Sequence, residues 1–148
     1  MRIAGLPLHY TAIEGAMPVA RARVTPAQWQ EGARLAHEAG QRLVALWGTD
    51  NCDHHAGFSV YAAYAVGGGL VVIELVVAAG DPCYPEIAGL FPVADRMQRA
   101  LHDLLGVRAE GADDVRPWLR HAAWSPDTFP LRRDFDAGAR PAPMRLAG

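Results

Sequence analysis

The feature that most constrains this chain is a pair of β-rich runs joined only by glycine. Phe58-Ser59-Val60-Tyr61-Ala62-Ala63-Tyr64-Ala65-Val66 is followed by Gly67-Gly68-Gly69 and then by Leu70 to Val77. Glycine alone takes positive φ without a steric cost, so this order predicts a hairpin with an all-glycine turn. The second arm is apolar on both faces. Such a strand belongs in the middle of a sheet, with a helix over it.

The remaining elements are read outward from that hairpin. Upstream, one short strand is expected around Pro18 to Val24. Thr25 is a good N-cap, Pro26 suits a first helical position, and Trp29, Ala33, Leu35, Ala36 and Ala39 recur at helical spacing. Gly40 sits where a left-handed residue closes a helix. Leu43 to Trp47 is a short apolar run closed by Gly48, expected to be a strand, and the polar stretch Thr49 to His55 a loop. Downstream, Asp81-Pro82 and Tyr84-Pro85 stop the sheet.

A second helix is expected from Val93 or Ala94 to Leu105. Met97, Ala100, Leu101, Leu104 and Leu105 would form its inner stripe, and Gly106 would end it. Beyond it, Pro117, Pro126 and Pro130 interleave with Trp118, Trp124 and Phe129, which predicts an extended arm pinned by aromatics. Ala137 to Gly148 is rich in Pro, Gly and Ala and is expected to fray. Together these predict an α+β two-layer domain: a small, mostly antiparallel sheet packed by two helices, with an extended C-terminal arm. The domain is expected over residues 1–136, with a flexible tail over 137–148.

Composition removes several function classes. A length of 148 residues suits one domain, able to bury roughly two-thirds of the surface its unfolded chain exposes. A formal net charge of -2 argues against nucleic acid as a partner, because phosphate contacts need a basic face. Cys52 and Cys83 are too few for a disulfide scaffold or a four-thiolate zinc site. All 14 basic side chains are arginine, which excludes a lysine Schiff base and a Walker-type lysine. The most apolar run, Leu70 to Ala79, is about half the length a helix needs to span a bilayer, and Glu74 interrupts it. Pro7, His9 and Glu14 break the N-terminal stretch where a signal peptide keeps an apolar core. The expectation is a soluble intracellular protein that meets a membrane only through partners.

Few constellations can carry chemistry. Asp50-Asn51-Cys52-Asp53-His54-His55 gathers a thiol, two imidazoles and two carboxylates, and Cys52, His54 and His55 are candidate metal ligands. Their spacing matches no closed zinc pattern. Cys83 with His102 as base is a candidate nucleophile, against the plainer reading of a packed cysteine. Gly67 to Gly69 does not lead into a helix and lacks the geometry of a phosphate loop. Asp103 is expected to pair with Arg99 one turn earlier, worth about half a kcal/mol or less. In the C-terminal third, arginines alternate with carboxylates among large aromatics, a composition that protein interfaces concentrate.

That third is also where a family can be read. Gln98-Arg99-Ala100-Leu101-His102-Asp103-Leu104-Leu105-Gly106-Val107 resembles the motif closing the central helix of the thirty-kilodalton subunit family of respiratory complex I. Arg116-Pro117 falls at that family's spacing, and Phe129-Pro130-Leu131-Arg132-Arg133-Asp134-Phe135 is similar to its closing segment. Pro85-Glu86-Ile87 through Leu90-Phe91-Pro92 is similar to the stretch leading into the helix. The chain departs from the pattern at Gln98 and Ala100, where the family has acidic residues, and at Ala112, where it has histidine. Leu43 to Asp50 looks closer to the homologous component of membrane-bound nickel-iron hydrogenases of the formate-hydrogenlyase type.

The resemblance implies a non-catalytic scaffold of an oxidoreductase complex, with no cofactor in this chain. It implies docking on the large subunit carrying the quinone or nickel-iron site, at the inner face of the cell membrane. It assigns Arg99, Asp103 and Gly106 to the helix terminus. Arg116, Pro117, Pro130, Leu131, Arg132, Asp134 and Phe135 become the partner-facing arm. Without acids at positions 98 and 100, Arg99 is expected to lack its usual ion pairs, and a different partner surface would follow. The competing reading is a small stand-alone metal protein or enzyme built on the Asp50 to His55 loop.

Overall fold

A computed structural model describes residues 1–52, 57–120 and 124–138. Its main sheet has five strands: β1 (Thr11–Ile13), β2 (Val19–Val24), β3 (Arg42–Asp50), β4 (Phe58–Val66) and β5 (Gly69–Val77), in the order β1-β2-β5-β4-β3. Within this sheet the β2–β5 pair is parallel and the other three pairs are antiparallel. Two helices, α1 (Pro26–Glu38) and α2 (Ala94–Leu105), form the second layer. The α+β, two-layer, mostly antiparallel architecture is the one expected.

The hairpin forms where the glycines place it. Val66 pairs with Gly69, and Gly67 (φ 52°) and Gly68 (φ 81°) make the two-residue turn with both central φ angles positive. The third glycine already belongs to β5. A Cβ there would stand 2.3 Å from the Pro18 carbonyl oxygen, so Gly69 admits a close approach of backbone. β5 lies at the centre of the sheet. Its Val71, Ile73, Leu75 and Val77 join Phe58, Val60, Ala62 and Tyr64 of β4 in the core, beneath Trp29, Ala33 and Ala36 of α1.

α1 starts with a capping box. Gln28 N–H donates to Thr25 Oγ1 (3.3 Å), and Thr25 N–H donates to Gln28 Oε1 (2.9 Å). Gly40, at φ 68°, follows its C-terminus as expected.

Three expectations need correction. β3 does not close at Gly48 but runs on to Asp50, through the first part of the expected loop. A Cβ on Gly48 would stand 2.6 Å from Leu101 Cδ1 and 3.2 Å from Leu105 Cδ1. Gly48 is therefore the notch that lets α2 reach the sheet, not a strand terminator. The second concerns the prolines after β5, which end the five-stranded sheet as expected but not strand structure itself. Cys83–Pro85 forms β6, paired in parallel with β7 (Arg108–Glu110), and α2 is the crossover between them. The Trp29 indole N–H donates to the Pro85 carbonyl (3.0 Å), tying α1 to β6.

The inner stripe of α2 also differs from its expectation. Leu101 and Leu105 are buried, but Met97, Ala100 and Leu104 are only half-buried, while the polar Gln98 and Asp103 are buried with Ala94. Among the described residues, no helix is long and apolar enough to cross a membrane.

Candidate functional site: a clamped C-terminal arm

The C-terminal end of α2 organises the arm that follows. Asp103 is fully buried, and its Oδ2 accepts from the backbone N–H groups of Trp118 (2.7 Å), Leu119 (2.6 Å) and Arg120 (3.2 Å). Its Oδ1 accepts from Arg120 Nε at 3.2 Å. Burial pushes this carboxyl up, but the three backbone donors and the guanidinium outweigh it and hold it below its ordinary value. Asp103 is thus the anchor of the arm and not the surface partner of Arg99 that sequence spacing suggested. The helical period places Asp103 opposite the Ala94, Gln98, Leu101 and Leu105 stripe, so no local signal marked it as buried; the arm, not the sheet, covers it.

Arg99 is not left unpaired by the altered residues beside it. Its guanidinium meets Asp114 (3.0 Å) and Asp95 (3.3 Å) and donates to the Arg116 carbonyl (2.8 Å). The expected ion-pair deficit is corrected by carboxylates one turn upstream and on the arm. Gln98 faces the other way. Its Oε1 accepts from the Ile87 N–H at 2.8 Å in a buried setting, fastening the segment that leads into the helix. Arg96 and Arg99 both lie over the Trp118 ring, at 4.9 and 5.2 Å.

The far part of the arm folds back over the helix terminus. Gly106 is left-handed (φ 73°), and a Cβ there would stand 2.6 Å from Arg132 Nη2 and 2.8 Å from the Phe129 ring. Arg132 Nε donates to the Leu105 carbonyl (2.7 Å), and its guanidinium covers the rings of Phe129 (4.4 Å) and Phe58 (5.1 Å). Leu131 N–H donates to the Leu104 carbonyl (3.0 Å). Arg133 caps β3: its N–H donates to Asp50 Oδ2 and its Nε to the Asp50 carbonyl, both at 3.0 Å.

The other assigned residues take varied places. Arg116 is 80% exposed and paired with Asp114 (2.6 Å), and the Pro117 carbonyl accepts from Arg99 (3.4 Å). Pro130 is half-buried, Asp134 is exposed, and Phe135 is half-buried against Trp124. Beside these charged groups the arm leaves five large apolar side chains exposed: Val115 (75%), Trp118 (41%), Leu119 (45%), Trp124 (41%) and Leu131 (57%).

The candidate metal loop falls partly outside the described residues, which include neither His54 nor His55. Asp50 is the end of β3 and holds Cys52 N–H (2.8 Å) as well as the arm. The Asp50 carboxylate, and then burial, push the Cys52 thiol up, so it stays protonated at neutral pH. His102 packs edge-on against Phe129, and no hydrogen bond joins it to Cys83 among the described residues. Burial, with Arg120 nearby, lowers its pKa and keeps the imidazole neutral.

Comparison with known proteins then places the chain. Formate hydrogenlyase subunit 5 of Escherichia coli is 28% identical over 113 residues, 74% of this chain and 20% of that protein. A subunit of the NADH-quinone oxidoreductase of Salinispora arenicola is 28% identical over 75 residues, 51% of this chain and 30% of that one. The chain thus spans under a third of the length of these two relatives. In fold, it is similar to a chain in the structure of the membrane-bound sulfane sulfur reductase, an archaeal respiratory membrane complex. That likeness has a TM-score of 0.71 at 17% identity, covering 90% of this chain and 79% of the other. The profile of the family described as respiratory-chain NADH dehydrogenase, 30 Kd subunit, matches residues 22–141. With that match spanning most of the residues that build the sheet, both helices and the arm, the chain belongs to the respiratory-chain NADH dehydrogenase 30 Kd subunit family.

Proposed function

We propose that this chain is a non-catalytic structural subunit of a complex-I-like NADH:quinone oxidoreductase or a related membrane-bound nickel-iron hydrogenase. It docks on the large subunit through the C-terminal arm and holds no cofactor itself. Residues 1–136 act as the docking unit, and contact with the inner face of the membrane comes through partner subunits.

The observation that carries this reading is the set Val115, Trp118, Leu119, Trp124 and Leu131, exposed on an arm whose backbone is fixed by hydrogen bonds to the end of α2. Exposed apolar side chains on a rigid support are what an interface uses, because burying them stabilises the complex with little ordering cost. Family membership supplies the class of assembly.

The test is affinity purification of the tagged chain from gently solubilised membranes of its native host, followed by mass spectrometry. The expected result is a stoichiometric nickel-iron large subunit, or a quinone-site subunit with iron–sulfur partners. A folded chain recovered without any stoichiometric partner overturns the proposal.

A further inference from the structure

The strand register writes the other face of the sheet in rows. Arg23 on β2 stands opposite Glu74 on β5, Glu74 opposite Tyr61 on β4, and Tyr61 opposite Trp47 on β3. The row on one side is Arg21, Val72, Ala63 and Ala45, and the row on the other side is Val76, Ser59 and Thr49. Strand residues alternate between faces, so these rows lie opposite the Val71, Ile73 and Leu75 that meet the helices. Neither helix packs on them; Val72, Ala63 and Ser59 are buried among the larger side chains of the face itself, while Trp47 (39%) and Val76 (40%) stand exposed at its surface.

A buried carboxylate sits in the middle of this uncovered face. Glu74 is 3% exposed. Its Oε1 accepts from Ser59 Oγ (2.9 Å) and Tyr61 OH (3.3 Å), its Oε2 from Arg21 (2.6 Å) and Arg23 (3.4 Å). One carboxylate thus serves two guanidinium groups, whose side chains remain 43% and 70% exposed. Arg21 also lies over the Tyr61 ring (5.7 Å), and Tyr61 stacks on Trp47 (5.1 Å, 12° between planes). The face is cationic at its β2 end and aromatic at its β3 end.

That asymmetry selects what can cover it. A wholly apolar partner would strand the excess guanidinium away from water, and a basic one would be repelled. The chain's own residues 139–148 contain two arginines and no acidic side chain, the wrong sign for this surface. The arm lies elsewhere, on the helix-bearing side, through Phe58, Asp50 and Gly106.

We propose that this helix-free face is a second docking surface, and that its occupant is a carboxylate-bearing, otherwise apolar segment of a partner polypeptide. Its acid groups lie over Arg21 and Arg23, its apolar side chains on Trp47 and Val76. Glu74 is already satisfied by four donors, so covering it leaves no unpaired group.

The experiment is site-specific photo-cross-linking in the native host, with the full chain carrying p-benzoylphenylalanine in place of Val76 or, separately, of Leu131 on the arm. The Val76 probe is expected to join a partner peptide containing Asp or Glu among apolar residues. Arg23→Glu should cut that adduct roughly tenfold, and Arg23→Gln less, while the Leu131 adduct persists as evidence of folding. Arg21, Ser59 and Tyr61 still satisfy Glu74 in both variants. An adduct between two copies of this chain overturns the proposal, as does one on a stretch without carboxylates or one indifferent to Arg23→Glu. A Leu131 adduct without any from Val76 overturns this surface alone; silence at both positions overturns the arm reading too.

Discussion

At the scale of single residues, Asp103 joins the helix to the arm. Asp103→Ala removes the acceptor of three backbone N–H groups and the partner of half-buried Arg120, an expected loss of about 3 kcal/mol. For a domain of this size that lowers Tm by roughly 10 °C, and Asp103→Asn, which keeps an acceptor oxygen, by about half as much. Differential scanning calorimetry decides it; a Tm for the alanine variant within about 1 °C of the parent would refute the anchor. The same group sets a pH dependence. Its folded pKa lies below the ordinary 3.8, so the unfolded chain binds the proton first. The stability it contributes is full above that value and falls as pH drops through the folded pKa. His102, lowered from 6.5, has the same sign at higher pH. Urea midpoints measured from about pH 8 downward should therefore fall gently once pH drops below 6.5, then steeply below 3.8. His102→Gln should abolish the first phase and Asp103→Asn weaken the second.

Elements meet here at glycines, for two different reasons. Gly67 and Gly68 are needed for their positive φ, and no atom lies within 4 Å of a Cβ placed on either. Gly67→Asn should then be neutral or stabilising by up to about 0.5 kcal/mol, since Asn-Gly suits this turn type. Gly48 is needed for its missing side chain. Gly48→Ala would drive a methyl into Leu101 and Leu105 and should cost about 1–3 kcal/mol by lifting α2 from β3. Chemical denaturation of the two variants separates these roles: equal losses would contradict the assignment. The hairpin and α1 were legible because their signals are local: an all-glycine linker, a cap, a helical period. The extension of β3 and the β6–β7 pair were not, because a glycine that ends a strand and one that admits a helix look alike in sequence. The three-residue partners of a parallel pair are separated by all of α2.

At the scale of the whole molecule, the arm works only if its apolar set is presented without holding the fold together. Leu131→Asp is expected to leave Tm within about 2 °C while weakening capture of the large subunit by roughly tenfold or more, a hot-spot loss of about 1.4 kcal/mol or above. Calorimetry beside quantitative co-purification tests both halves, and undiminished capture would remove Leu131 from the interface. The sequence by itself determined the hairpin, both helices, the α+β class and the family resemblance, because these rest on patterns within a few residues of one another. Only the tertiary structure decided that Asp103 faces the arm, that Asp50 ends a strand and holds Arg133, and that Arg99 finds Asp114. It also decided that Glu74, a break in an apolar run, lies within a two-arginine cluster on an uncovered face. Each of those pairings spans 15 to 83 positions along the chain. Hydrogen bonds and charges act through space at about 3 Å, so which groups meet is fixed by how the layers pack and not by the order in which the residues are joined.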